Sequence, residues 1–485
     1  MLGIRRLFER GTDMSLEKIN YKKFIAPLLV GIIIWLASPI KPASVSMAAW
    51  HMFAIFVATI VGCITQPLPI GGVAIIGFTL TVLTGVVPID TAITGFGNGS
   101  IWLIVMAFFI SRGFIKTGLG RRIAFQFVKM FGKKTLGLAY SLIGVDLVLA
   151  PATPSNTARA GGIMYPIINS LAESFGSSPK DGTQRKIGSF LLYAEFQGDI
   201  ITSAMFLTAM AGNPLAQSLA KPMGVNITWM GWFMAALVPG LISLILVPFI
   251  IYKIYPPEIK ETPNARQWSE DQLKDMGPMS KPEKYMVGVF IIALLLWVLG
   301  SFLGIDATVT AFIALSLLLL FGVLSWKDVT HETGAWNTLT WFSVLVMMAT
   351  QLNTLGFIPW LSKTIAGAMS GLNWVIALIV IIAAYFYSHY LFASATAHVS
   401  AMYGALLAVA ISAGVPAMLA ALMLGFFGNL FGSTTHYANG PAPILYGSGY
   451  ITQNRWWSMN AIMGIVYLVV WIGAGSLWMK VIGMW

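Results

Sequence analysis

Two short polar runs interrupt very apolar sequence: Ser155-Asn156-Thr157-Ala158-Arg159 and, 239 residues later, Ser394-Ala395-Thr396-Ala397-His398. Serine, asparagine and threonine side chains donate to carboxylate oxygens. If each run sits at a hairpin tip, the first backbone N–H groups of the returning helix add to them, and their dipole favours negative charge. Polar and cationic groups are expensive in a bilayer, so a chain that places them there twice, in matching positions, points to a use for them. The use that fits is reversible binding of a dicarboxylate, one end per wall. Ser155, Asn156 and Thr157 form one candidate wall, and Ser394, Ala395 and Thr396 the other. Arg159 and His398 share one offset and are the candidate charge-compensating groups. A unit pair at ~4 Å is worth about 4 kcal/mol at an effective dielectric near 20.

A second pair of signals lies downstream. Thr208–Pro214 and Tyr437–Pro443 break apolar segments with glycine and proline. Such breaks free backbone groups that something must satisfy. Gly212, Asn213, Pro214, Asn439, Gly440 and Pro441 therefore join the candidate substrate contacts. The structural alternatives are that Asn213 and Asn439 only cap helices, that Arg159 snorkels to the interface and that His398 is a satisfied core histidine. Asp146, Glu195 and Asp199 are intramembrane carboxylates; the last two are four apart, on one helical face, and could relay protons or balance Arg159. His51, His389 and His436 read as structural. An enzyme built on Ser155, Ser394 and His398 is disfavoured: no Gly-x-Ser-x-Gly elbow, no His-Glu-x-x-His motif and no acid near His398 accompany them. No metal set and no cofactor motif is read.

The elements that must position these residues are membrane helices. Of 485 residues, 57% are hydrophobic and 10% charged, with mean hydropathy +0.79; soluble domains carry roughly 25% charge. Apolar runs near the ~20 residues that cross a bilayer recur throughout. They fall approximately at 24–40, 47–64, 71–88, 100–117, 136–152, 160–175, 188–211, 229–252, 286–303, 308–324, 338–355, 373–392, 399–413, 417–436 and 458–479. The runs 136–152 and 160–175 are short and enclose Pro154 and the first polar run, which predicts a re-entrant hairpin; 373–413 reads likewise. The single Cys63 leaves no disulfide within the chain.

With the N-terminus in the cytoplasm, only Lys41, Lys221, Lys363 and Lys480 fall outside cytoplasmic stretches and helix ends, and Arg159 lies within the membrane. That distribution explains the net charge of +11 without any nucleic-acid partner. The expectation is an all-α polytopic protein with about eleven transmembrane helices, two re-entrant hairpins and an external C-terminus. Residues 1–23 form a cytoplasmic segment, 24–255 a first membrane half with a cytoplasmic-side hairpin 136–175, 256–285 a cytoplasmic linker with a short surface helix near Gln267–Asp275, and 286–485 a second half with an external-side hairpin 373–413. Met14–Phe24 is an expected interfacial helix. Gly95, Asn98 and Trp102 precede the first polar run as Gly334, Asn337 and Trp341 precede the second, which marks inverted repeats with a site at their interface.

Pro154-Ser155-Asn156-Thr157, the second run, Leu149-Ala150-Pro151 through Arg159, Gly161-Gly162, Gly118-Leu119-Gly120-Arg121-Arg122 and His389-Tyr390-Leu391-Phe392-Ala393-Ser394 together resemble the divalent anion/sodium symporter family. Most of the chain takes part, and its exchanger branch fits best. The resemblance implies a homodimer in a plasma membrane, an elevator movement and C4–C5 dicarboxylate cargo such as α-ketoglutarate, malate, succinate and fumarate. Symporters of that family carry Ser-Asn-Thr twice, and here the second asparagine position is Ala395. The expectation is that Arg159 and His398 replace sodium charge and that transport is sodium-independent exchange. A sodium- or proton-coupled di/tricarboxylate symporter is the alternative.

Overall fold

The computed structural model describes residues 20–368 and 373–485. The expected helix Met14–Phe24 lies mostly outside them; Tyr21–Phe24 forms a single 3-10 turn. The chain is an all-α polytopic membrane protein built from inverted repeats. Among the described residues the only β pairing is one isolated bridge, Lys134 with Glu261. Among the described residues the main membrane segments begin at Ile25, Met47, Ile70, Gly99, Gly188, Trp229, Lys281, Ala307, Thr333, Ala417 and Gln453, and two helical hairpins span 135–174 and 374–412. Outward faces carry exposed Ile245, Leu295, Phe302, Leu320 and Val469, the surface a lipid solvent accepts.

The two halves repeat and interlock. In each, a pair of helices (Met47–Thr65 with Ile70–Leu83; Lys281–Leu303 with Ala307–Leu320) precedes a long helix (Gly99–Thr117; Thr333–Thr354), a short one (Leu119–Phe131; Phe357–Ala368), a hairpin and a broken helix. Ile70–Leu83 packs on Thr333–Thr354, and reciprocally Ala307–Leu320 packs on Gly99–Thr117. The exchange continues at the centre: Gly212–Ala220 packs on the returning arm Ala395–Ser412, and Pro441–Gly447 on the returning arm at Thr157–Met164. Each half is thus completed by the other.

Two of these elements escape an apolar scan. Leu119–Phe131 and Phe357–Ala368 are 13 and 12 residues long, and the first carries Arg121, Arg122 and Lys129. Each follows a glycine in the left-handed region, Gly118 at φ 74° and Gly356 at φ 93°, which turns the chain sharply out of the preceding helix. The sequence match of Asn98 with Asn337 holds in position but not in role. Asn98 accepts from Ser100 and Ile101 N–H at 2.9 and 3.3 Å and caps its helix, whereas Asn337 lies one turn inside Thr333–Thr354.

The linker helix is longer than expected, Asn264–Met276, and the second half starts at Lys281. There Ser280 and Glu283 form a capping box. Glu283 also receives Arg122 Nε at 2.6 Å and Nη2 at 3.3 Å, while Arg122 Nη1 donates to Gly277 O at 3.0 Å. This fork ties the first half to the start of the second. Glu283→Ala removes the carboxylate half of the capping box and leaves a largely buried guanidinium without its counter-charge, a loss of about 3 kcal/mol. The expected outcome is a thermal midpoint several degrees lower for the detergent-solubilised protein, read by the fluorescence of its tryptophans.

Candidate functional site

Both hairpins turn over on a serine. Ser155 Oγ accepts from Ala158 N–H at 3.1 Å, and Ser394 Oγ accepts from Ala397 N–H at 3.3 Å. Each hydroxyl oxygen therefore caps the returning helix, and its proton stays free to donate. The first returning arm opens as a π-helical turn, Thr157–Met164, before α-helix resumes at Tyr165; such wide turns recur at functional sites. The two tips meet in one cavity of about 360 Å³. It is lined by Ser155, Asn156 and Thr157 from one side, Ser394, Ala395 and Thr396 from the other, and by Asn439 and Gly440. That volume suits a small organic ligand.

Four of the expected contacts are elsewhere. The first break faces the cavity through Met210 and Ala211, not through Gly212, Asn213, Pro214, and the second through Asn439, Gly440 and Pro443, not Pro441. The reason is where helix ends. Gly188–Met205 stops at Met205 and the chain is non-helical to Ala211, so the residues before the restart meet the opening. Asn213 is buried and works as a clamp. Its amide nitrogen donates to Ser203 O and Phe206 O, both at 2.8 Å, and its oxygen accepts from Asn429 Nδ2 of the other half at 2.6 Å. Asn439 lines the cavity and also caps, accepting from Ala442 N–H at 3.0 Å. Phe108, Thr338 and Trp341 complete the lining. Sequence reasoning missed them as site residues, although Trp341 stood out as the repeat mate of Trp102.

No lining residue is charged, and this corrects the expected role of Arg159. Its side chain is fully buried behind the first tip. Nε donates to Asp146 Oδ1 at 2.6 Å, Nη2 to Asp199 Oδ1 and Ser203 Oγ, both at 2.8 Å, and Nη1 to Thr153 O at 2.9 Å and Ala209 O at 3.2 Å. Thr202 Oγ1 donates to the other oxygen of Asp146. The guanidinium is thus fully committed: two carboxylates take its charge, and it neither snorkels nor lines the cavity. What it does is tie carbonyls of the tip and of the first break to one another.

His398 holds the corresponding place behind the second tip and is also buried away from the cavity. It stacks on Phe392 and Phe431, with centroids 4.2 and 4.6 Å away. Its Nδ1 faces His389 Nδ1 at 2.9 Å, its Nε2 lies 3.1 Å from Ser388 Oγ, and His389 Nε2 lies 2.7 Å from Ala438 O. A carbonyl only accepts, so His389 carries its proton on Nε2 and accepts at Nδ1. His398 then donates from Nδ1, while its Nε2 faces Met402 Sδ at 3.0 Å and Ser388 Oγ, which also donates to Tyr385 O at 3.0 Å. His389, read from sequence as merely structural, is the residue that holds the second break, at Ala438.

The cavity therefore presents neutral groups: hydroxyls, the Asn156 and Asn439 amides, and the N-termini of the two returning arms, whose dipoles favour anionic charge. Arg159→Met leaves Asp146 and Asp199 buried without a counter-charge, a cost of about 3–5 kcal/mol. Lower expression and a lower thermal midpoint are expected along with lost activity, and adding Asp146→Asn with Asp199→Asn should recover part of the midpoint. Thermal unfolding of the single and triple variants in detergent checks this.

A family model described as the sodium:sulfate symporter transmembrane region matches residues 18–485. The chain is 58% identical over 466 residues, 95% of its length and 97% of the relative's, to the Bacillus subtilis (strain 168) protein named "Putative malate transporter YflS". It is 48% identical over 469 residues to spinach (Spinacia oleracea) "Dicarboxylate transporter 1, chloroplastic", covering 96% of this chain and 82% of that one. It is 38% identical over 480 residues to the Escherichia coli O6:K15:H31 (strain 536 / UPEC) "L-tartrate/succinate antiporter", covering 95% and 98%. The crystal structure of the Alcanivorax borkumensis YdaH transporter superposes with TM-score 0.57 at 10% identity, covering 95% of this chain and 99% of that one, a likeness of fold.

Proposed function

The chain belongs to the sodium:sulfate symporter family, the divalent anion/sodium symporters, and from that premise we propose that it exchanges C4–C5 dicarboxylates across the plasma membrane without sodium. It is a multi-pass membrane transporter, not an enzyme. The observation that carries the proposal is the single uncharged cavity in which both hairpin tips and both helix breaks meet. Relatives named for malate, for dicarboxylates and for tartrate/succinate antiport support the cargo class and the exchange mode. Succinate, malate, fumarate and α-ketoglutarate are the cargo we propose.

Arg159 and the His389–His398 pair enter this reading as replacements for sodium in position. A sodium ion bridging a tip to its break would coordinate carbonyl oxygens. At the first tip, Thr153 O and Ala209 O already accept from Arg159; at the second, Ala438 O accepts from His389. Exchange then follows from the empty site. Two helix N-termini and several buried donors aimed at a vacant cavity are costly to carry through hydrocarbon, and a bound anion removes that cost. Alternating access is proposed as an elevator movement within a homodimer, with the N-terminus and the 256–285 linker in the cytoplasm and the C-terminus outside. A sodium- or proton-coupled symporter of the same anions is the competing reading.

Proteoliposomes loaded with unlabelled malate should take up labelled succinate equally well in sodium and in choline buffer, while empty vesicles take up little. Sodium-dependent uptake into empty vesicles would overturn exchange in favour of symport. A second expectation concerns Gly440, where a Cβ would collide with the Thr157 hydroxyl of the first tip. Gly440→Ala should cut counterflow more than tenfold and leave the thermal midpoint within a few degrees, because it wedges one wall of the cavity away from the other.

A further inference from the structure

Behind the first tip three acids crowd one cation. Asp146 and Asp199 each hold Arg159 through one oxygen. Glu195 is fully buried within electrostatic reach of all three. Among the described residues neither oxygen of Glu195 has a hydrogen-bond partner, and neither does Asp199 Oδ2. An ionised carboxylate without donors or an adjacent counter-ion is costly in such a place, so the site favours binding a proton. Glu195 and Asp199 are four apart on Gly188–Met205, so their side chains lie one turn apart on a single face. A proton on either one supplies the missing donor, and the orphaned oxygen of the other is the natural acceptor.

On the same helix Tyr193 is the other titratable group, and Tyr467 reaches that helix by donating to Gln197 at 2.7 Å. Besides Asp146, Thr135–Leu149 contributes Tyr140; the returning arm contributes Arg159, then Tyr165 and Glu173 toward its far end; Trp229–Ile254 contributes Tyr252 and Lys253 at its end; Pro441–Gly447 contributes Tyr446; and the stretch 417–433 contributes none. With every acid ionised, the cluster bears a formal charge of minus two directly behind Ser155–Thr157. One bound proton halves it.

We propose that Glu195 and Asp199 form a proton-binding site whose loading strengthens anion binding at the first tip. The proposal rests on the reading of the cavity as the anion site. Coupling runs through Arg159, which touches Asp199 on one side and carbonyls of the tip and of the first break on the other. Linkage is reciprocal: a proton that favours the dianion is itself held more tightly when the dianion is bound. Because loading makes the cluster less negative, affinity falls as pH rises, by up to about tenfold per pH unit where one proton is linked to one anion.

The experiment is counterflow of labelled fumarate, which stays dianionic over about pH 6–9 because carboxyls titrate well below that range. In the wild-type protein KM should rise severalfold across that interval. Glu195→Gln, an isostere of the loaded state, should hold KM near its acid-side value and flatten the profile. Detergent-solubilised wild type in weak buffer with a pH-sensitive dye should take up protons when fumarate is added, and Glu195→Gln should not. A flat wild-type profile, a profile unchanged in Glu195→Gln, or no proton uptake by the wild type would each overturn the proposal. A pH-dependence that survives in Glu195→Gln points instead to the His389–His398 pair. Absence of fumarate counterflow at every pH would defeat the anion-site reading itself, so the two failures are distinguishable.

Discussion

A bilayer core contains no water to satisfy a broken helix, and this constraint organises the centre of the molecule. The chain is interrupted four times, at 153–156, 206–211, 392–394 and 431–440. Each interruption exposes backbone groups that need partners. The protein brings all four together at one cavity and ties three of them with buried side chains. Arg159 takes carbonyls at Thr153 and Ala209, His389 takes the carbonyl at Ala438, and Asn213 takes those at Ser203 and Phe206. What remains after these ties is a set of unpaired donors facing one opening.

Much of this was legible in the sequence because it depends on patterns that sequence displays directly. Apolar length gave the crossings, and a doubled polar motif gave the tips. Glycine and proline marked the breaks. Six of the residues singled out around the tips, Ser155, Asn156, Thr157, Ser394, Ala395 and Thr396, do line one cavity. What was not legible depends on direction. Sequence shows that Arg159 follows the tip by two residues; it does not show that a helical turn carries the side chain behind the tip, toward Asp146 thirteen residues earlier and Asp199 forty residues later. Asn213 was assigned to the opening but lies two residues past Ala211, and Pro441 sits between the lining Gly440 and Pro443 without lining it. Leu119–Phe131 and Phe357–Ala368 were missed because amphipathic helices in a membrane chain look like loops to a scan for apolar length.

The fate of Arg159 also shows why type and depth alone are weak guides to role. A buried cation beside an anion site invites a direct ion pair. Here its charge is met by carboxylates before any ligand arrives, and its value is geometric: five N–H groups in a rigid fork join two stretches of irregular backbone. On the other side of the cavity the same mechanical task is done by two histidines and an aromatic stack. The halves share a plan while using unrelated chemistry to hold it.

That divergence reaches the opening itself, where Asn156 on one wall is answered by Ala395 on the other. A pseudo-symmetric receptor with one amide and one methyl distinguishes head from tail. An elongated guest whose ends differ, such as a keto acid or a hydroxy acid, has one energetically preferred direction in it, whereas a guest with identical ends has none. The difference between Asn156 and Ala395 thus gives the opening a polarity, and a guest with unlike ends is read by direction.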